Sequence, residues 1–156
     1  MLKLALFLHI ISAIMWVGGM LFLTLVLAPF LMTIPDPKER SKIYQFVGKK
    51  YRLIGWINII LLLVTGPVIL ATLYGITPGK IHTTITSGTP FGNTLAVKLA
   101  LVALLVLSSF FHDFFVGPRA RNSPGYSRIA RIFGRGNLLV ALLVVIFAVF
   151  LRAGGL

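Results

Sequence analysis

The sequence predicts an all-α polytopic membrane protein, a four-helix bundle with both termini on the outer side. Three observations predict it. The 156 residues are 58% hydrophobic with a mean hydropathy of +0.98, too apolar for an ordinary water-soluble domain. The apolar residues fall into long continuous runs, and a hydrocarbon core of about 30 Å takes roughly 20 helical residues to cross. The 15 lysines and arginines, against three acidic residues, collect in blocks between those runs. One domain of four spans accounts for residues 1–156.

The first span occupies about 4–32, around LALFLHIISAIMWVGGMLFLTLVLAPFLM. It exceeds a signal-peptide core and is followed by runs of the same kind, so it reads as a retained span. Pro29 marks a bend near its close. The second span occupies about 53–74, the third about 94–116, and the fourth about 136–152, which is short and draws on its flanks. Nothing alternates apolar with polar as a porin-type barrel would, and continuous runs favour helices that satisfy their own backbone.

The connecting segments differ in charge. The first carries Lys38, Arg40, Lys42, Lys49, Lys50 and Arg52, and the third Arg119, Arg121, Arg128, Arg131 and Arg135, while the second offers only Lys80. By the positive-inside rule the first and third loops are cytoplasmic, in a cell's inner (plasma) membrane. Blocks flanking apolar runs serve as anchors and topology signals, so the net charge of +12 does not point to nucleic acid. In DPKERSKIYQFVGKKYRLIGW, Ile43, Phe46, Val47 and Leu53 interleave with charged residues, a spacing compatible with a short helix lying on the membrane surface. PGYSRIARIFGRGN repeats the style. Such segments either anchor the bundle or bind an anionic substrate or lipid.

Few polar residues interrupt the spans. His9 lies roughly 8 Å inward from residue 4, and Lys98 enters the third span to about the same depth. Trp16, two turns after His9, shares a stripe with it, Ser12 and Ala13 lying between. Gly18 and Gly19 allow a helix or a flat ligand to come close. A histidine can bond across a helix interface or ligate a metal; a lysine can snorkel outward or, with its amine unprotonated, ligate too. A second group, Asn58, His112, Asp113, Arg119 and Asn137, shares the inner depth and permits a polar network, structural or serving substrate contact or proton relay. His112 is 14 residues from Lys98, roughly 21 Å along a helix, so one ion cannot take both.

The pairing of LHIISAIMWVGGMLF with GNTLAVKLALVALL resembles the four-helix membrane superfamily of HemJ-type protoporphyrinogen oxidases and copper-resistance protein D domains. That resemblance implies b-type haem ligation at His9 and Lys98 and a redox role, oxidation of a porphyrinogen or electron transfer; in such a site Lys98 reads as the sixth ligand or a propionate partner, and Trp16 as packing against the porphyrin. The copper branch implies copper uptake through His9, Met15 and Met20; a non-catalytic membrane module is the third reading. No cysteine and no methionine-rich tract offers copper(I) the soft ligands it favours, whereas haem b suits an apolar helical interior. The partners implied are membrane lipids, an anionic porphyrin or quinone-like electron partner received by the inner arginines, and further copies of the chain in a homo-oligomer.

Overall fold

The computed structural model describes residues 1–120 and 124–156; Arg121 of the third connecting segment lies outside the described residues. The protein is 89% helical with no strand among the described residues. Four helices are long and apolar enough to cross a membrane: α1 (Leu2–Met32), α2 (Pro37–Tyr74), α3 (Pro90–Arg119) and α4 (Pro124–Arg152). Short helical turns at Pro78–Lys80 and Ile81–Ile85 join α2 to α3.

The starts and stops follow local chemistry. Asp36 accepts from the Lys38 amide at 2.9 Å with Pro37 in the first turn of α2, and Thr89 accepts from the Gly92 amide at 3.1 Å with Pro90 opening α3. Such caps satisfy amides that no helical carbonyl reaches, worth about 1 kcal/mol each. Gly75 ends α2 at φ 68°, its amide returning to the Leu70 carbonyl.

Two of the expected surface segments are instead parts of long helices. Residues 38–52 are helical, as their spacing predicts, but α2 runs unbroken for 38 residues, about 57 Å at 1.5 Å per residue. Only Gly48 interrupts the good helix formers at the junction, and a lone glycine does not stop a helix. The segment before the fourth span likewise continues into α4, a helix of 29 residues.

α1 and α3 each widen into one π-helical turn, at Leu23–Leu27 and His112–Val116. Pro29 and Pro118 follow two residues beyond each turn. A proline ring collides with the carbonyl four residues earlier, and a wider turn relieves it. At Pro29, where a bend is expected, the structure has a π-helical turn just before the proline, and α3 repeats the arrangement at Pro118.

The helices pack as two antiparallel pairs, α1 with α2 and α3 with α4, joined through α1 and α4. At the end away from the basic segments, Ile76, Leu95 and Leu151 are buried together with Tyr74 and Phe91, whose rings lie 5.1 Å apart. Elsewhere the buried positions mix large apolar residues such as Ile59 and Leu105 with small or polar ones, including Ala5, Ser12, Thr65, Ser109 and Ala141. Leu4, Phe7, Ile14, Leu107, Leu139 and Val149 face outward, half or more exposed. A polar interior beneath an apolar exterior fits contact with lipid and a multi-pass membrane protein.

Candidate functional site

α1 and α2 run antiparallel in a register that fixes His9. The His9 Nδ1 atom lies 2.7 Å from the Thr65 hydroxyl, which donates its own proton to the Leu61 carbonyl at 2.6 Å. With that proton committed, Thr65 accepts from His9 Nδ1–H, and the Nε2 lone pair is left for another partner. A Cβ added to Gly66 would stand 3.7 Å from His9 Cε1, so the imidazole lies against a bare stretch of backbone. Farther along the seam Trp16 packs over Gly55, and the Tyr51 hydroxyl donates to the Trp16 carbonyl at 2.5 Å.

Each contact uses the absence of a side chain on the opposite helix. Gly19 receives the Tyr51 ring so closely that a Cβ would collide with it, whereas Gly18 faces open space. Of the two glycines expected to permit close approach, Gly19 does so. Ser12, one turn from His9, is completely buried, and its hydroxyl has no hydrogen-bond partner among the described residues.

As His9 lies seven residues into α1, so Lys98 lies eight residues into α3, in the half of the bundle away from the basic segments. It is half-buried, and no carboxylate pairs with it among the described residues. The structure thus places His9 and Lys98 in the same half of the bundle, with Trp16 farther along α1 toward the basic end. Thr65 and Gly66 complete the surroundings of His9 and were not singled out from the sequence. Their signal was the Thr-Gly-Pro run at 65–67, polar and helix-weakening inside an apolar span.

Toward the basic end the expected network divides. Asp113 accepts from Trp56 Nε1 at 3.0 Å and from His112 Nδ1 at 2.8 Å, and its backbone carbonyl accepts from Arg52 at 3.0 Å. Asn137 accepts from Ser108 at 2.6 Å and donates to Ser109 at 3.3 Å, tying α3 to α4. Asn58 is buried but donates to the Ile54 carbonyl of its own helix at 2.9 Å. Arg119 likewise turns to the Phe115 carbonyl at 2.8 Å rather than to Asp113. His112 and Asp113 are therefore a pair held by α2, and Asn58 and Arg119 are bonded within their own helices.

A cleft of about 1020 Å³ opens between the four helices at this end, lined by Trp16, Trp56, His112, Asp113, Asn137 and cationic side chains from α2 and α4. No group of three or more His, Cys, Asp or Glu residues suited to a metal ion occurs among the described residues. The donor set at His9 and Lys98 is accordingly two nitrogens, the number that completes an iron already held in a porphyrin plane. The free Nε2 of His9 is a donor of the kind haem iron accepts, and the Ser12 hydroxyl one turn away has no partner among the described residues.

No family model and no solved structure matches the chain. An uncharacterized protein of Aquifex aeolicus (strain VF5) is 37% identical over 155 residues, covering 99% of this chain and 97% of that relative. Similarity of that extent embraces all four spans and both basic segments, and the chain belongs to the same family as the Aquifex aeolicus protein.

Proposed function

We propose that the protein binds haem b and acts as an integral membrane redox protein, by HemJ-like oxidation of a porphyrinogen or by electron transfer. The observation that carries this reading is the His9–Thr65–Leu61 relay, which fixes the imidazole with Nε2 as its free nitrogen. Metal-binding histidines are oriented in this way by a hydrogen bond to the other ring nitrogen.

In this reading His9 Nε2 and the Lys98 amine would hold the haem, which would supply one-electron chemistry when bound. Thr65 holds the imidazole, the α1–α2 seam keeps water from it, and Trp16 provides an aromatic wall between His9 and the basic-end cleft. The cations of that cleft suit an anionic porphyrin or quinone-like partner. The basic segments face the cytoplasm of a cell with this protein in its plasma membrane, both termini being outside.

Copper uptake is less well supported. A His9–Met15–Met20 route needs all three on one path, yet Met15 is 49% exposed while Met20 lines the cleft. A visible spectrum of the purified protein, before and after haem supplementation, tests the proposal. A reducible Soret and α-band pattern that disappears or becomes five-coordinate in His9→Ala is expected. A preparation that stays colourless after supplementation, or retains copper instead, overturns it.

A further inference from the structure

We infer that the basic-end cleft binds an acid with a carboxylate head and a flat apolar body, and that His112 accepts a proton from it. Five cations, Arg40, Lys49, Arg52, Arg131 and Arg135, line the cleft against one carboxylate, Asp113. That carboxylate is engaged by Trp56 Nε1 and His112 Nδ1 and forms no ion pair with a lysine or arginine among the described residues, while Arg52 bonds the Asp113 backbone carbonyl. Polar side chains such as Gln45, Ser109 and Asn137 share the remaining wall with an apolar face made of Trp16, Met20, Leu23 and Leu27 from α1 and Ile59 from α2. A cationic rim over an aromatic wall selects an anion attached to a planar apolar body.

The His112–Asp113 geometry supplies the base. An ionised carboxylate only accepts, so His112 donates Nδ1–H to Asp113 Oδ1 and keeps its lone pair on Nε2. Trp56 bonds Asp113 Oδ2, and Arg52 bonds the Asp113 carbonyl across from α2, within the π-helical turn that carries both residues. A carboxylate fixed on one side of an imidazole sets its tautomer and stabilises the imidazolium that forms. The His112 ring lies 6.4 Å from that of Phe133 in a stacked arrangement, which puts it beside the α4 turn bearing Arg131 and Arg135. The other charged or titratable groups of the cleft are Asp113 of α3, Arg40, Tyr44, Lys49, Tyr51 and Arg52 of α2, and Arg131 and Arg135 of α4. α1 contributes none to the cleft lining. In the step itself an O–H or N–H bond of the ligand breaks, its electron pair stays on the ligand, and the proton passes to Nε2. The inference stands independently of haem at His9.

Both tryptophans of the chain line the cleft, so intrinsic fluorescence reports it directly. The test adds 6-hydroxy-2-naphthoate to the full chain in nanodiscs of zwitterionic lipid. Tryptophan quenching reads binding, and the naphtholate absorption band reads proton transfer. The expected result is saturable quenching, with the bound naphthol ionised at least about tenfold more than the free probe at one pH. Arg131→Gln with Arg135→Gln should weaken binding by about tenfold or more. His112→Gln should bind the probe within a few-fold of the parent but return its ionisation to that of the free probe. Asp113→Asn, which preserves shape, should reduce ionisation in the same direction. No saturable quenching, or ionisation unchanged in both His112→Gln and Asp113→Asn, overturns the inference. Loss of probe binding in phosphatidylglycerol nanodiscs would assign the cations to lipid headgroups and overturn it as well.

Discussion

His9 and Thr65 are 56 residues apart in sequence and 2.7 Å apart in space, and this pair decides which imidazole nitrogen is available. Because the Thr65 proton is spent on the Leu61 carbonyl, the threonine orients His9 as an acceptor while holding α1 to α2. Thr65→Val keeps the shape and removes that acceptor. The expected outcome is a fall in haem affinity of about 10- to 100-fold, measured by titration of the haem-free protein, with Thr65→Ser restoring most of it. Unchanged affinity in the valine variant would show that Thr65 is only interhelical glue.

The Gly19–Tyr51 contact predicts a stability effect separate from any cofactor. A methyl group on Gly19 would run into the Tyr51 ring, and overpacking of this kind costs about 1–3 kcal/mol. Gly19→Ala should therefore lower the thermal midpoint in detergent, while Gly18→Ala, which meets nothing within 4 Å, should not. In a Tyr51→Ala background the Gly19→Ala penalty should vanish, since a pairwise effect disappears with its partner. A penalty that persists there would place the strain elsewhere.

The spans were legible because continuous apolar runs have few alternatives, and His9 and Lys98 stood out because polar side chains in such runs are rare. What completes their surroundings was harder to see. Thr65 carries no mark of its partner in the sequence, since a buried hydroxyl can bond its own helix, and here it does both. Asp113 misled in the opposite way: Arg119 is near in sequence, but besides the adjacent His112 the groups that reach Asp113 are Arg52 and Trp56, 61 and 57 residues away. Residues 38–52 read as a separate surface helix because their amphipathic pattern differs from the apolar run after them. A change of pattern does not break a helix, and without a proline at the junction the backbone continues.

Orientation follows from charge and can be tested by labelling. The chain has no cysteine, so single cysteines at Lys42 and Arg128 probe the two basic segments, and one at Thr77 probes the opposite connection. The first two should resist an impermeant thiol reagent in intact cells and react after the inner face is opened; Thr77→Cys should react at once. The reverse pattern would invert the topology.

Lys98 separates ligation from snorkelling, because the two place its nitrogen in opposite environments. To ligate iron the amine must present a lone pair, so protonation competes with binding, and acidification should displace it at a pH where the protein still folds. An arginine keeps the charge and length needed to reach an interface but stays protonated, and cannot repeat amine ligation. No carboxylate pairs with Lys98 among the described residues, so the change to arginine breaks no ion pair that would complicate the result. Ligation therefore predicts that Lys98→Arg loses the six-coordinate low-spin signature in visible and magnetic circular dichroism spectra while His9 retains the haem. Snorkelling predicts an unchanged spectrum. An intact low-spin signature in Lys98→Arg, with no other side chain taking the position, would remove Lys98 from the ligand set and leave His9 as the sole protein ligand of the pair.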